Sequence, residues 1–300
     1  MAMSVQMGSP RRRFWLRPFT PLARGQLAVL VAIGVLTVGA WALTIQQART
    51  MDMPMGVAAG GAGRETMGGV TMEGAGAMAA SGMAASGWST DGFAAFVVAW
   101  SVMMAAMMFP AAAPMLLLFR RVSSQRRAAG GGFVPTWIFA AGYLLVWTAV
   151  GALTWAIVRL GSGLAGTLTT TERGTWAPLA LGAVMVLAGL YQVTPLKGVC
   201  LDHCRTPIGF VITHWREGRQ GALRMGLVHG AYCLGCCWAL FAVLVGAGVM
   251  SLAWMLLLTL VVFAEKVLPA GRGTSRVVGV AFLTFGVLVA SGAAPMPWTA

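Results

Sequence analysis

The chain has 300 residues, of which 58% are hydrophobic and only 10% are charged. This balance lies far outside the range of soluble globular domains and predicts an all-α bundle of membrane helices embedded in a lipid bilayer. The net charge of +13 does not indicate a nucleic-acid partner, because the basic residues cluster at alternate ends of the apolar segments. With three histidines and no evident acid–base pair, the chain is not expected to be a hydrolase.

Seven apolar segments are predicted to be transmembrane helices, for which about 20 residues are needed. They lie at about 25–45, 93–119, 134–158, 176–193, 225–247, 250–266 and 277–294. Basic residues precede the first segment, follow the second, and separate the fourth from the fifth and the sixth from the seventh. The positive-inside rule therefore places the N-terminus in the cytoplasm and the C-terminus outside, in a multi-pass protein of the bacterial cytoplasmic (inner) membrane.

This topology divides the chain into five parts. They are a basic cytoplasmic segment (1–24), a first helix (25–45) read as a retained signal anchor, an external loop (46–91), a six-helix core (92–294) and an external tail (295–300). The loop is rich in Gly and Ala, has no helical or strand period, and is predicted to be disordered. It contains Met51, Met53, Met55, Met67, Met72, Met78 and Met83. These thioethers are either soft ligands for Cu(I) or the product of compositional drift in a linker.

The second apolar segment contains four methionines on one predicted helix face. The motif reads W-S-V-M-M-A-A-M-M-F-P and places Met103, Met104, Met107 and Met108 one turn apart in pairs. Pro110 follows and predicts a kink. The stripe is interpreted either as ordinary packing or as thioethers that hold or pass a soft cation.

A short motif between the fourth and fifth segments combines two thiols with an imidazole. Cys200, His203 and Cys204 are spaced so that one helical turn presents all three, and Asp202 is expected to orient the imidazole. The cytoplasmic side is reducing, so thiols are available as ligands and a structural disulfide framework is not expected. Thr206 as N-cap and Pro207 at the first position predict a further short helix to about Glu217.

That further helix is expected to lie in the headgroup region. Its predicted apolar face consists of Ile208, Val211, Ile212 and Trp215.

The fifth segment carries the most informative stretch, H-G-A-Y-C-L-G-C-C-W. On a helix, His229, Cys233, Cys236 and Cys237 share one face, and thiols with an imidazole suit Cu(I), or Zn as the alternative. Helical rise predicts that the Met and Cys stripes reach similar depths, so they could face each other near the middle of the membrane. Glu265 and Lys266, at the inner end of the sixth segment, are interpreted either as a polar gate or as an interfacial pair, and the interfacial pair is favoured.

Together these motifs resemble the bacterial family known as domain of unknown function 2182, predicted metal-binding integral membrane proteins. The resemblance rests on M-M-A-A-M-M-F-P, Y-Q-V-T-P-L-K, C-L-x-x-C-R-x-P, H-G-A-Y-C-L-G-C-C-W and E-K-V-L-P, and covers about residues 93–290. It implies metal binding by the Met and Cys/His positions, but no defined reaction. Phe241 and Ser251 stand where Met and Asn are more usual in the family.

Three functions are compatible with the sequence. The first is a membrane protein that binds Cu(I) and transports it or delivers it to a metallochaperone or another membrane subunit. The second is a thiol–disulfide membrane oxidoreductase that uses Cys236 with Cys237, or Cys233 with Cys236. The third is a non-catalytic subunit or anchor of a larger complex, whose cysteines only pack. The first is favoured, and an enzyme is the less favoured class.

Overall fold

The computed structural model describes residues 24–50, 90–247 and 251–294, where all regular elements are α-helices. They are α1 (Arg24–Thr50), α2 (Thr90–Ala128), α3 (Thr136–Gly166), α4 (Thr170–Gln192), α5 (Pro195–Arg205), α6 (Pro207–His214), α7 (Gly218–Ala247), α8 (Leu252–Val267) and α9 (Gly271–Ala290). The prediction of an all-α fold is confirmed. The basic N-terminal segment, the seven loop methionines and the C-terminal tail lie outside the described residues.

Six of the described helices are long and apolar enough to cross a membrane, one fewer than predicted. They are α1, α2, α3, α4, α7 and α9. The sixth predicted segment, at 250–266, corresponds to α8, which has 16 residues. At 1.5 Å per residue α8 is about 24 Å long, shorter than the roughly 30 Å hydrocarbon core of a bilayer.

The outer surface of the bundle is apolar, which is compatible with a membrane protein. Val38 on α1, Leu160 on α3 and Val277 on α9 are each about two-thirds exposed or more. In water such a surface would be costly, whereas lipid solvates it without loss.

Helix α7 lies at the centre and packs against α3, α4, α5 and α8. Its closest neighbour is α3, because glycines bring the two backbones together. A Cβ at Gly142 would collide with the backbone oxygen of Leu223, and a Cβ at Gly226 would collide with that of Phe139. Small residues permit this close approach between membrane helices. The backbone contact with α3 therefore fixes the position of α7 independently of the cysteines on α7.

The short helix after α5 differs from its prediction. It ends at His214 rather than near Glu217, and Thr206 does not cap it with its side chain. The Thr206 hydroxyl instead donates to the backbone oxygen of Asp202, 2.7 Å away, at the end of α5. Val211 packs into the protein while Ile208 and Ile212 are exposed, so only part of the predicted apolar face points away from the bundle.

The topology depends on whether α8 crosses the membrane. It starts soon after α7 ends, and its last turn reaches α5, where Glu265 binds Lys197. Basic residues lie near the start of α7 and near the end of α8, so the positive-inside rule favours a crossing by α8. We therefore expect reporter fusions at Gly131 and Ala300 to report the cytoplasm and the exterior, respectively. If both fusions report the same side, α8 does not cross and only six helices span the membrane.

Candidate metal site

The predicted stripe on α7 is buried inside the bundle. His229, Cys233, Cys236 and Cys237 are all buried, so none of them faces lipid. The thiols of Cys236 and Cys237 donate to the backbone oxygen of Cys233, at 3.0 and 2.8 Å. Helical residues often bond to a carbonyl one turn back in this way. In this arrangement both sulfurs are held on the inner face of α7.

Helix α5 brings two further sulfurs against this stripe. The Sγ atoms of Cys204 and Cys236 lie 3.9 Å apart, although the residues are 32 positions apart in sequence. Gly235 makes room for the other sulfur, because a Cβ at Gly235 would lie 2.8 Å from Cys200 Sγ. Burial raises the pKa of the Cys200 thiol, and the charge on Cys236 raises it further. Sulfurs from two helices therefore meet at one level of the bundle.

His203 does not join these sulfurs. Its ring stacks on Tyr232 of α7 at 4.1 Å between centroids, and its Nδ1 lies 2.9 Å from the backbone oxygen of Val199. The expected role of Asp202 is wrong, because its carboxylate pairs with Arg272 at the start of α9. The residues of this motif thus point in different directions. The sulfurs of Cys200 and Cys204 face α7, whereas Asp202 binds Arg272 on α9.

A lysine contacts the central cysteine. Lys266 Nζ lies 2.8 Å from Cys233 Sγ, and the Tyr143 hydroxyl of α3 lies 3.0 Å from the same sulfur. Interpreting Glu265 and Lys266 as an interfacial pair was therefore wrong, since each binds a different partner inside the protein. Sequence analysis missed Lys266 and Tyr143 as neighbours of the cysteines. The rule that a charge in an apolar segment is functional by default would have pointed to Lys266.

Glu265 forms a buried ion pair with Lys197 of α5. The Lys197 ammonium lies 2.9 and 2.8 Å from the two carboxylate oxygens of Glu265, and the two side chains are only 2% and 1% exposed. Gln192 at the end of α4 donates to the same carboxylate at 3.2 Å. A charge this deeply buried is tolerated only when paired. The pair therefore ties α5 to the last turn of α8.

His229 carries a buried nitrogen without a partner. Within the described part of the chain, its Nδ1 has no hydrogen-bond partner. The rings of Phe139, Tyr143 and Phe210 surround the imidazole at centroid distances of 5.8, 5.8 and 5.3 Å. Leaving a buried polar atom unsatisfied is costly. This atom is consistent with a site that is completed by a ligand.

The methionine stripe is buried but stands apart from the cysteines. Met103, Met104, Met107 and Met108 are all buried in α2, which packs chiefly against α1 and α3. The connection to α7 runs through Tyr143 of α3. Its ring stacks on Phe109 of α2 at 6.4 Å, and its hydroxyl contacts Cys233. The two stripes are thus linked through α3.

The geometry of the sulfurs favours a site with few ligands. Among the described residues, no group of three or more His, Cys, Asp or Glu side chains is arranged to hold a metal ion, and the five cysteines are free. At a metal–sulfur distance of about 2.3 Å, two sulfurs that share an ion lie at most about 4.6 Å apart. The separation of 3.9 Å between Cys204 and Cys236 satisfies this limit.

These features describe a helical protein whose long apolar helices are compatible with a membrane and which holds a partly buried pair of thiols at a helix–helix contact. The chain belongs to the PpoB2 family, described as copper chaperone, whose family model matches residues 97–289. That description supports copper handling. No curated protein and no solved structure matches the chain. The matched residues fall within the region that resembles domain of unknown function 2182, and they add copper where that resemblance implied only a metal.

The sulfur geometry predicts a specific cross-link. A disulfide needs sulfurs about 2.05 Å apart, so mild oxidation of metal-free protein with diamide should join Cys204 to Cys236 after a small movement. Peptide mass spectrometry after alkylation identifies the pair, and Cys204→Ala should leave Cys236 open to alkylation. Recovery of Cys236 joined mainly to Cys233 or Cys237 would contradict the contact between α5 and α7.

Proposed function

We propose that this protein is an integral membrane copper chaperone that binds Cu(I) between α5 and α7. The ion is passed on to another membrane subunit or to a metallochaperone. The observation that carries this proposal is the distance of 3.9 Å between Cys204 Sγ and Cys236 Sγ. Two helices from distant parts of the chain supply these sulfurs, and the family description supports copper handling.

The donor set favours Cu(I) over zinc. Soft thiolates and thioethers select Cu(I), whereas structural Zn(II) sites are almost always tetrahedral with four ligands. In the described ranges, no three His, Cys, Asp or Glu side chains converge on one point, so a closed zinc site has no ligand set there. A pair of sulfurs suits a soft monovalent ion that needs few ligands.

The remaining predicted Cys and His ligands lie on the same two helices. On α7 they are Cys233, Cys237 and His229, and on α5 they are Cys200 and His203. His203 is engaged with Tyr232 and Val199. We assign the others to the transfer of the ion, since a weakly coordinated ion is passed on by replacing one ligand at a time. The free Nδ1 of His229 is the best placed of these, because it has no competing partner among the described residues.

The methionine stripe is assigned to the passage of copper along α2. Four thioethers in a buried row offer soft ligands that oxidation does not convert to disulfides. Tyr143 links this row to Cys233 across α3. In this proposal the stripe passes copper to the cysteine site and is not part of that site.

Removal of the thiols of Cys204 and Cys236 should abolish copper binding. We expect Cys204→Ser with Cys236→Ser to weaken Cu(I) binding by at least about a hundredfold, equivalent to about 2.7 kcal/mol. Cys237→Ser is the comparison, because that thiol bonds to its own helix, and it should cost less than the double change. Binding is measured by competition with a Cu(I) chelator in detergent, and thermal unfolding checks that each variant is folded. Stoichiometric binding of Cu(I) by the double variant would overturn the site.

The role of the stripe is tested by changing Met103, Met104, Met107 and Met108 to Leu. These changes nearly conserve volume and apolarity, so packing should survive. We expect Cu(I) binding to weaken by about tenfold, or about 1.4 kcal/mol, while the alkylation rates of the cysteines in metal-free protein stay the same. Met115→Leu, at a buried position on the same helix, is the matched control. Unchanged copper binding in the quadruple variant would make the stripe ordinary packing.

A thiol–disulfide oxidoreductase is the second candidate, favoured by the same pair of sulfurs. Cys204 and Cys236 are close enough to pair after a small movement. The thiols of Cys236 and Cys237, by contrast, both turn back to the Cys233 carbonyl. A redox centre would therefore use a pair between α5 and α7 rather than the C-x-x-C pair within α7. It would not need the methionines, because thioethers do not exchange disulfides.

A further inference from the structure

We propose that Lys266 determines which metal the site prefers, by balancing the charge that Cu(I) leaves on a pair of thiolates. The inference rests on the proposed function and adds a residue that sets the specificity of that site. Lys266 is assigned as a charge-balancing neighbour and not as a ligand.

The position of the ammonium supports this role. Lys266 comes from α8, and its Nζ reaches Cys233 Sγ at 2.8 Å from 33 positions along the chain. Cys233 lies one helical turn from Cys236 on the buried face of α7, and the Cys236 thiol donates to the Cys233 backbone oxygen at 3.0 Å. The ammonium is therefore placed beside the helix face that carries Cys236.

The neighbouring acid does not cancel this charge. Glu265 precedes Lys266, but its carboxylate is held by both contacts from Lys197. Asp202 is the next acid on α5, and it pairs with Arg272 on the exposed side. Neither acid therefore neutralises Lys266, and its positive charge acts on the thiols.

The charge count separates the two candidate metals. Two thiolates that bind Cu(I) keep one negative charge, and the ammonium of Lys266 makes the assembly neutral. Two thiolates that bind Zn(II) are already neutral, so the same ammonium leaves one excess positive charge. Cys233, Cys236 and Cys237 are buried, and an uncompensated charge among buried groups is costly. Lys266 therefore favours Cu(I) and disfavours Zn(II) at the same sulfurs.

The test compares the affinities of the full-length protein for Cu(I) and Zn(II) by competition with chelators of each ion. The variants are Lys266→Leu, which removes the charge and adds no metal ligand, and Lys266→Arg, which keeps the charge. Arg276→Leu removes a positive charge from an exposed side chain near the start of α9 and is the matched control. We expect Lys266→Leu to lower the Cu(I)-to-Zn(II) affinity ratio by about tenfold or more. Lys266→Arg and Arg276→Leu should keep the wild-type ratio.

A purely structural role for Lys266 predicts a different result. Loosened packing would weaken the binding of both ions alike, so an unchanged affinity ratio in Lys266→Leu overturns the inference. If that variant does not fold, Lys266→Gln, which is neutral and polar, is measured against the same expectation. Failure of the proposed function is distinguishable, because the wild type would then bind no Cu(I), or would keep it after loss of Cys204 and Cys236. Cu(I) binding that needs those cysteines, with a ratio insensitive to Lys266, overturns the charge-balancing role alone.

Discussion

The ion pair between Lys197 and Glu265 ties α5 to α8, and the proposed site depends on where α5 lies. The ammonium contacts both carboxylate oxygens, at 2.9 and 2.8 Å, in surroundings that exclude water almost completely. Loss of one partner from such a pair typically costs about 3–5 kcal/mol, because it leaves an unpaired buried charge. With the pair intact, α5 is held against α8 and α7, and Cys204 meets Cys236. The pair contributes no ligand, yet it helps to hold the helix that carries Cys204.

The remaining helices provide the other boundary of the site. Glycines bring α3 and α7 into backbone contact, so Tyr143 comes close to Cys233 and the aromatic rings close around His229. Helix α8 is too short to match the long helices, and it ends where α5 lies. Its last turn thus places Glu265 and Lys266 inside the protein, one on the ion pair and the other on a thiol. One short helix therefore contributes both the structural clamp and the charge at the sulfurs.

Much of this could be predicted from the sequence, and the rest could not for identifiable reasons. Apolar length predicted the long helices, and helical spacing predicted that His229, Cys233, Cys236 and Cys237 lie on an inward face. Both patterns involve residues that are close in sequence, and the spacing repeats with the period of an α-helix. The contact between Cys204 and Cys236 depends on the docking of α5, which no local period reports. Glu265 and Lys266 were paired because they are adjacent, whereas successive helical residues point in different directions. The segment at 250–266 was counted as a span, but its helix has only 16 residues, fewer than the roughly 20 that a span usually needs.

X-ray absorption spectroscopy of the copper-loaded protein tests the central claim most directly, since it reports the oxidation state and the atoms bound to the metal. The account predicts Cu(I) with sulfur neighbours, and loss of that sulfur signal when Cys204 and Cys236 are both changed to Ser. A spectrum of Cu(II), or of copper bound only to nitrogen and oxygen, would contradict a thiolate site between α5 and α7.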